Sequence, residues 1–125
     1  MCLAGARRVQ KELLEKFPSS KVRVYAIWVS MLRTDARLTW RWTGDVLSDQ
    51  RVAHFWDENK IVGRWYAEHG NTDNRDPGIV LDAYYLYGPD AEWRSKPEPL
   101  LSGDGTIRDR YDELQQKLAP LLVSP

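Results

Sequence analysis

The stretch Lys21–Ser30 alternates between polar and apolar residues at its start and is continuously apolar towards its end. Val22 and Val24 stand next to charged side chains, whereas Ala26–Val29 is unbroken. Alternation is typical of a strand with one face in water, and an unbroken run is typical of a strand covered on both faces. The pattern therefore predicts a buried strand over about 21–30, in an α/β fold whose helices flank a small mixed sheet.

A second strand, over about 79–87, is indicated by its β-branched and aromatic side chains. The residues Gly88–Ala91 predict a tight turn, with Pro89 suited to its second position. Residues 91–94 are then expected to return as a short antiparallel strand. The segment 95–105 contains two prolines and two glycines and is expected to be irregular.

Apolar residues at spacings of three and four predict four helices, over about 3–17, 49–57, 61–69 and 107–122. Ser48 and Asp49 form a typical N-cap pair for the second helix. Thr106 and Asp109 form a pair similar to a capping box for the last one. The segment Met31–Leu47 fits neither period, and long excursions of this kind are often functional in compact domains.

The chain has 125 residues, which suits a single domain over 1–125. Its 18 basic and 18 acidic residues cancel, which argues against duplex nucleic acid or an anionic membrane as a partner. No apolar run approaches the roughly 20 residues of a membrane span. Arg7 and Arg8 follow the short segment Leu3–Ala6 instead of preceding a signal-peptide core. We therefore expect a cytoplasmic protein.

Six tryptophans and six tyrosines are many for a chain of this length. Such residues fill cores because of their area, and they are also enriched at interfaces. Both interpretations stay open at this point. Under the second, the candidate binding residues are Trp28, Trp40, Trp42, Asp82 and Tyr84, of which Asp82 interrupts an apolar strand.

The single cysteine, Cys2, is the best candidate for a catalytic residue. It lies at the start of a predicted helix, where the backbone N–H groups and the helix dipole favour a thiolate. The two histidines, His54 and His69, lack the spacing of a metal site with three or four converging ligands. The sequence also has no glycine-rich phosphate loop. We therefore expect neither a metal nor another cofactor.

The order helix, strand, helices, hairpin and helix resembles the thioredoxin-like superfamily. Cys2–Arg7 opens a helix in the way that the second cysteine of a C-x-x-C motif does in that family. The stretch Ala83–Trp93 resembles the family's antiparallel hairpin, and the last predicted helix falls where the family has its terminal helix. The resemblance implies a truncated thioredoxin-like domain.

Three departures from the family pattern change what the resemblance implies. The family's first strand has no counterpart, and the first cysteine of C-x-x-C is absent. The position of its cis-proline, aligned on the Gly88–Ala91 turn, holds Asp82. The resemblance therefore implies a non-catalytic module for binding or assembly. Two alternatives stay open: a single-cysteine redox protein that forms mixed disulfides through Cys2, and a small-molecule binding protein with an aromatic pocket.

The missing strand also has a consequence for partners. Val22–Val29 and Ile79–Tyr87 must then pair directly, or one of them exposes an apolar edge. Exposed edges tend to pair with another chain. We therefore expect a homo-oligomer, such as a dimer that completes the sheet. A protein or small-molecule partner is expected to bind through the aromatic residues.

Overall fold

The computed structural model describes residues 3–29, 46–69, 75–76, 78–80, 82–95 and 97–123. Its elements are α1 (Leu3–Arg8), a π-helix that continues it (Val9–Leu14), β1 (Val24–Trp28), β2 (Val52–Trp56), α2 (Ile61–His69), β3 (Arg75–Asp76), β4 (Ile79–Val80), β5 (Tyr84–Trp93), β6 (Pro97–Gly105) and α3 (Ile107–Leu122). The described strands pair two by two: β1 with β2 in parallel, and β3 with β4 and β5 with β6 antiparallel. A small α/β fold is therefore confirmed.

The helix predicted over 49–57 is wrong, because this segment contains β2. The strand runs parallel to β1 with Val24 opposite Val52 and Trp28 opposite Trp56. The apparent capping signal is a local turn, in which the Asp49 carboxylate accepts a hydrogen bond of 2.9 Å from the N–H of Arg51. Asp in this position often forms such turns. The β-branched and aromatic side chains that follow then favour a strand.

The two strands Val22–Val29 and Ile79–Tyr87 pair differently from the direct pairing considered above. Val22–Val29 and Ile79–Tyr87 are not direct neighbours, because β1 pairs with β2, and Ile79–Val80 forms β4, which pairs with β3. The buried strand is shorter than the predicted 21–30. Each sheet among the described residues has two strands, so β1 and β2 each keep one edge that pairs with no described strand, and the expected homo-oligomer stays a prediction.

The predicted hairpin exists, but its turn lies elsewhere. β5 runs on through Gly88–Ala91, and β6 occupies part of the segment expected to be irregular. The regular register skips from Tyr87 opposite Leu100 to Glu92 opposite Glu98, so the intervening residues form an irregular bulge. Proline cannot donate a ladder hydrogen bond, which is why Pro89 falls in this bulge. The separate return strand predicted over 91–94 is therefore wrong.

Two apolar cores flank the N-terminal helical segment. One core lies under the β1–β2 pair and includes Ala6, Leu14, Ala26, Trp28 and Leu47. The other lies between the hairpin and α3 and includes Leu13, Tyr84, Ile107, Tyr111, Leu114, Leu118 and Leu122. Because Leu13 and Leu14 enter different cores, the π-helix joins the two halves. The helix predicted over 3–17 is thus present only to Leu14, as two helical segments.

Arg51 fixes the end of the π-helix to the turn before β2. Its guanidinium donates to the carbonyl oxygens of Leu14, Phe17 and Ser20 at 2.8, 2.7 and 3.2 Å. It also donates to both carboxylate oxygens of Asp49, at 2.8 and 2.7 Å. A helix C-terminus leaves carbonyl groups without partners, and one side chain satisfies several of them here.

The two remaining helices, predicted over 61–69 and 107–122, are confirmed. Thr106 caps α3 by accepting a 3.0 Å hydrogen bond from the N–H of Asp109, as predicted. Asp57 caps α2 with carboxylate contacts to the N–H groups of Ile61 and Val62 at 3.0 and 2.8 Å. No described helix is long and apolar enough to cross a membrane.

Candidate functional site: an aromatic surface on α2 and the hairpin

Trp28, one of the predicted binding residues, is a core residue. Its side chain is 5 % exposed. The indole N–H donates to Nδ1 of His54 at 2.9 Å, and the opposite ring nitrogen of His54 lies 2.8 Å from the carbonyl oxygen of Leu47. Because Nδ1 accepts, the histidine must carry its proton on Nε2 and donate it to this carbonyl. The three residues form a chain that holds β1, β2 and the approach to β2 together.

Tyr84 is also buried, with 8 % of its surface exposed. Its hydroxyl lies 2.6 Å from Oγ of Ser102 across the hairpin and 3.3 Å from the carbonyl oxygen of Arg110 in α3. Ser102 itself is 4 % exposed. The Tyr84 hydroxyl therefore links Ser102 of the hairpin to the backbone of α3, and the buried Ser102 hydroxyl has its hydrogen bond with Tyr84.

We expect Tyr84→Phe to lower the free energy of unfolding by about 1–3 kcal/mol, since the buried Ser102 hydroxyl loses its partner. Ser102→Ala should cost less, because the Tyr84 hydroxyl still donates to the carbonyl oxygen of Arg110. The double variant should cost clearly less than the sum of the two, because no polar group is then left unpaired. Urea unfolding of the four proteins measures this coupling, and additive losses would contradict a mutual hydrogen bond.

The remaining predicted residues do not join a described site. Asp82 lies in the bend just before β5 and is partly exposed. Cys2, Trp40 and Trp42 lie outside the described residues, and so does most of the excursion Met31–Leu47. Among the described residues, no three His, Cys, Asp or Glu side chains are placed to hold a metal ion.

The structure instead brings six rings together on α2 and the hairpin. We call this group the aromatic patch; it consists of Trp65, Tyr66, His69, Tyr85, Tyr87 and Trp93. Trp65 stacks on His69 with ring centroids 4.4 Å apart and lies 5.3 Å from Trp93. Trp93 is 65 % exposed, so the patch opens to solvent at this ring.

The other half of the aromatic patch is centred on Tyr66. Its ring stacks on Tyr85 at 3.9 Å, meets Trp65 edge-on at 4.9 Å, and its hydroxyl lies 2.6 Å from the hydroxyl of Tyr87. The edge-on contact of Trp65 with Tyr66 is a favourable geometry for an aromatic pair. Tyr66 therefore contacts three other rings of the aromatic patch, so these rings are in place without a ligand.

The backbone explains how these rings meet. In β5, Tyr84 and Leu86 pack towards α3, whereas Tyr85 and Tyr87 meet Tyr66 on α2. Alternation along the strand thus places α2 and α3 on opposite faces of the hairpin. At the other side of α2, a Cβ on Gly63 would overlap the carbonyl oxygen of Val80, so this glycine lets the helix approach β4 closely.

Sequence reasoning missed the aromatic patch, although two signals for it exist. Trp65 and His69 are four residues apart, which places them on one side of a helix. Tyr85 and Tyr87 are two residues apart, which places them on one face of a strand. The sequence does not show that these two faces meet. On α2 itself, Ile61 is 63 % exposed and the buried positions are Gly63 and Ala67.

The charged side chains at the tip of the hairpin lie on its other face. Glu92 pairs directly with Glu98, next to the pair Trp93 and Pro97. Because neighbouring residues in a strand point to opposite faces, the glutamates point away from the ring of Trp93. They line a shallow depression together with Asp90, Arg94 and Pro99. This depression is therefore separate from the aromatic patch.

The aromatic patch offers a largely aromatic contact surface, and its imidazole is turned towards its own helix. His69 uses Nδ1 in a 2.9 Å contact with the carbonyl oxygen of Trp65, which directs it back to its own helix. Arg64 and Glu68, the charged residues on the same helix, are both exposed and opposite in sign. The comparisons add no relative: the chain matches no family model, no curated protein and no solved structure.

Proposed function

We propose that this protein is a non-catalytic binding module that takes an uncharged protein segment on its aromatic patch. The observation that carries the proposal is the exposure of Trp93, which is 65 % open to solvent while packed against Trp65. Trp and Tyr are the residues most enriched at protein interfaces and at their energetic hot spots. An exposed tryptophan on a rigid ring cluster is suited to that role.

The geometry favours a protein segment that lies across the rings. Stacked side chains lose little conformational entropy on binding, which improves affinity without additional contact area. Aromatic surfaces of other binding modules take extended, proline-containing segments, whose proline rings pack on the flat aromatic faces. The opposite charges of Arg64 and Glu68 cancel, so the surface does not select a strongly charged partner.

A thioredoxin-like fold belongs to the same proposal. It is supported by the element order after the N-terminal helix: a parallel strand pair, a helix, an antiparallel hairpin and a terminal helix packed on that hairpin. The redox alternative rests on Cys2 alone, and the alternative of a small-molecule pocket was centred on Trp40 and Trp42. No described residue favours either alternative over the aromatic patch.

The test is selection of short random peptides displayed on phage against the full chain, followed by measurement of the affinity of each selected peptide by fluorescence polarisation. We expect Trp93→Ser to weaken binding at least tenfold, because removing a hot-spot tryptophan typically costs about 2 kcal/mol or more. Far-ultraviolet circular dichroism of the variant should be unchanged, since Trp93 is largely exposed.

The matched control is Tyr25→Ser. Tyr25 is 64 % exposed, almost the same as Trp93, but it lies on β1 and outside the aromatic patch. The Tyr25→Ser substitution should leave the peptide affinity unchanged when the affinity is measured at protein concentrations well below one micromolar. The proposal is wrong if no peptide is enriched on the wild-type protein, or if Trp93→Ser and Tyr25→Ser have equal effects.

A further inference from the structure

The β1–β2 pair has one covered face and one open apolar face. Its open face, which we call the outer face, is formed by Tyr25, Ile27, Ala53 and Phe55. Tyr25 is 64 % and Phe55 is 50 % exposed, and their ring centroids are 6.3 Å apart. Parallel sheets are normally covered on both faces, so an open face of this kind is unusual.

The chain segment that leads into β2 lies on the other side of the sheet. Leu47 is fully buried and packs with Ala26 and Trp28 on the inner face, together with Val46. The N-terminal helical segment covers that same inner face through Ala6 and Leu14. The described parts of the chain thus close one face and leave the outer face for another molecule.

Charge is distributed along the outer face with opposite signs at its two ends. Arg23 directly precedes β1, is exposed, and shares the side of Tyr25 and Ile27 by strand alternation. Asp57 directly follows β2 and continues the alternation of Ala53 and Phe55, and its N–H donates to the carbonyl oxygen of Trp28 at 2.8 Å. Its carboxylate also accepts from the N–H groups of Ile61 and Val62 at the start of α2. The outer face therefore has its basic side chain at the N-terminal end of the two parallel strands and its acidic side chain at their C-terminal end.

These two ends are equidistant from the centre of the outer face. We take the centre of the outer face as the position along the strands where Ala26 pairs with His54, because this pair lies midway between Tyr25 and Ile27. Arg23 lies three residues before this level, and Asp57 lies three residues after it. A two-fold axis through the centre that reverses the strand direction would place Arg23 of one copy at the level of Asp57 of the other.

We propose that the outer face binds a second copy of this chain in a two-fold symmetric dimer, with Phe55 and Tyr25 at its centre and Arg23 facing Asp57 of the other copy. A face with opposite charges at equal distances from its centre is complementary to itself, which is the requirement of a two-fold interface. This homodimer is independent of the peptide-binding function proposed above, because it uses other residues.

The size of the face sets the strength of this dimer. The two half-exposed aromatic side chains can bury on the order of 200–300 Å² of surface. A standard interface buries about 800 Å² on each partner. The residues at the two charged ends of the outer face must therefore also be part of the dimer interface. We expect a reversible dimer that dissociates on dilution, with an association constant that falls as salt screens the Arg23–Asp57 contacts.

Sedimentation equilibrium of the full chain over a range of concentrations tests the proposal. Wild-type protein should show a monomer–dimer equilibrium. Phe55→Ser should weaken it at least tenfold by removing the central ring. Arg23→Glu should weaken it as well, and less so at high salt, because it places a like charge against Asp57 of the other copy. Asp57 is kept unchanged because it caps α2.

Two control variants distinguish this dimer from association through another surface. Arg7→Glu makes the same charge change at an exposed position on α1 and should leave association unchanged. Trp93→Ser should also leave it unchanged, whereas it should abolish peptide binding. A wild-type protein that stays monomeric overturns the proposal. Equal weakening of the association by Arg23→Glu and by Arg7→Glu also overturns it, and so does an association that is lost in Trp93→Ser. Failure of peptide binding alone leaves the dimer result standing.

Discussion

Arg51→Met should be among the most destabilising single substitutions in the described part of the chain, lowering the free energy of unfolding by about 3 kcal/mol. The guanidinium makes hydrogen bonds to three backbone carbonyl groups and to the carboxylate of Asp49. Its side chain is only 14 % exposed, so water replaces few of these contacts. Methionine fills a similar volume but donates no hydrogen bond, so the carbonyl oxygens of Leu14 and Ser20 lose the guanidinium donor. The Asp49 carboxylate then keeps only the backbone N–H of position 51, and the carbonyl oxygen of Phe17 keeps only the N–H of Ser20. Thermal unfolding should shift down by about 10 °C.

Acid should remove part of the same stabilisation. Chiefly through the hydrogen bonds from Arg51, the pKa of Asp49 is lowered from its usual 3.8 to about 2. A lowered pKa means that the carboxylate stabilises the fold fully above about pH 4 and loses this contribution as the pH falls towards about 2. Arg51→Met should lose the larger share of this acid dependence together with the stability, because only the hydrogen bond from the backbone N–H of position 51 to the carboxylate then remains.

Arg64→Met is the matched control for the substitution at Arg51. Arg64 is an exposed arginine on α2, and its replacement should change the free energy of unfolding by less than about 0.5 kcal/mol. Urea unfolding at neutral pH gives both values. If Arg51→Met is as mild as Arg64→Met, the guanidinium is not what joins the π-helix to β2.

Gly63→Ala should destabilise the protein by about 2 kcal/mol, although glycine to alanine in a helix interior normally stabilises by about 1 kcal/mol. The reason is the closeness of α2 to β4: the added Cβ would overlap the carbonyl oxygen of Val80 and contact Ile79. Backbone must move to relieve this overlap. Since α2 carries Trp65 and Tyr66, the substitution should also disturb the stacking of Tyr66 on Tyr85.

Near-ultraviolet circular dichroism and urea unfolding measure these two effects separately. Arg64→Ala, on the next residue of the same helix, controls for helix propensity and should be neutral or slightly stabilising. A stabilised Gly63→Ala protein with an unchanged aromatic spectrum would show that α2 does not approach β4 as closely as described.

Elements with a single consistent signal could be predicted from the sequence. α3 has a capping pair at Thr106 and Asp109 and a regular apolar stripe, and both are present. The short strand β1 follows from its apolar run. In these segments local propensity and burial favour the same structure, so no information from the rest of the fold is needed.

Segments with two competing signals could not be predicted. Val52, Phe55 and Trp56 have helical spacing, but pairing with β1 makes them a strand, because tertiary contacts override a weak local preference. Gly88–Ala91 has the composition of a turn, yet the strand continues past it as a bulge. Pro97 and Pro99 likewise favour an irregular segment, so the sequence does not predict the strand β6 that contains them.

The candidate site is harder to predict than the strands, because it is formed by contacts between elements that are far apart in the chain. Trp65 and Trp93 meet only because α2 and the end of the hairpin lie side by side. Periodicity locates a ring on a helix or strand face, but it does not say which faces touch. For the same reason Trp28 and Tyr84, chosen as aromatic residues of strands, prove to be core residues.

The most direct test of the binding proposal is ¹⁹F NMR of protein labelled with 5-fluorotryptophan, titrated with a peptide from the phage selection. Substituting each of the six tryptophans in turn by phenylalanine assigns the resonances. We predict that the signals of Trp93 and Trp65 shift on binding, while that of the buried Trp28 stays in place. Shifts confined to other tryptophans, or unchanged signals at Trp65 and Trp93 under saturating peptide, would contradict a function of the aromatic patch in binding.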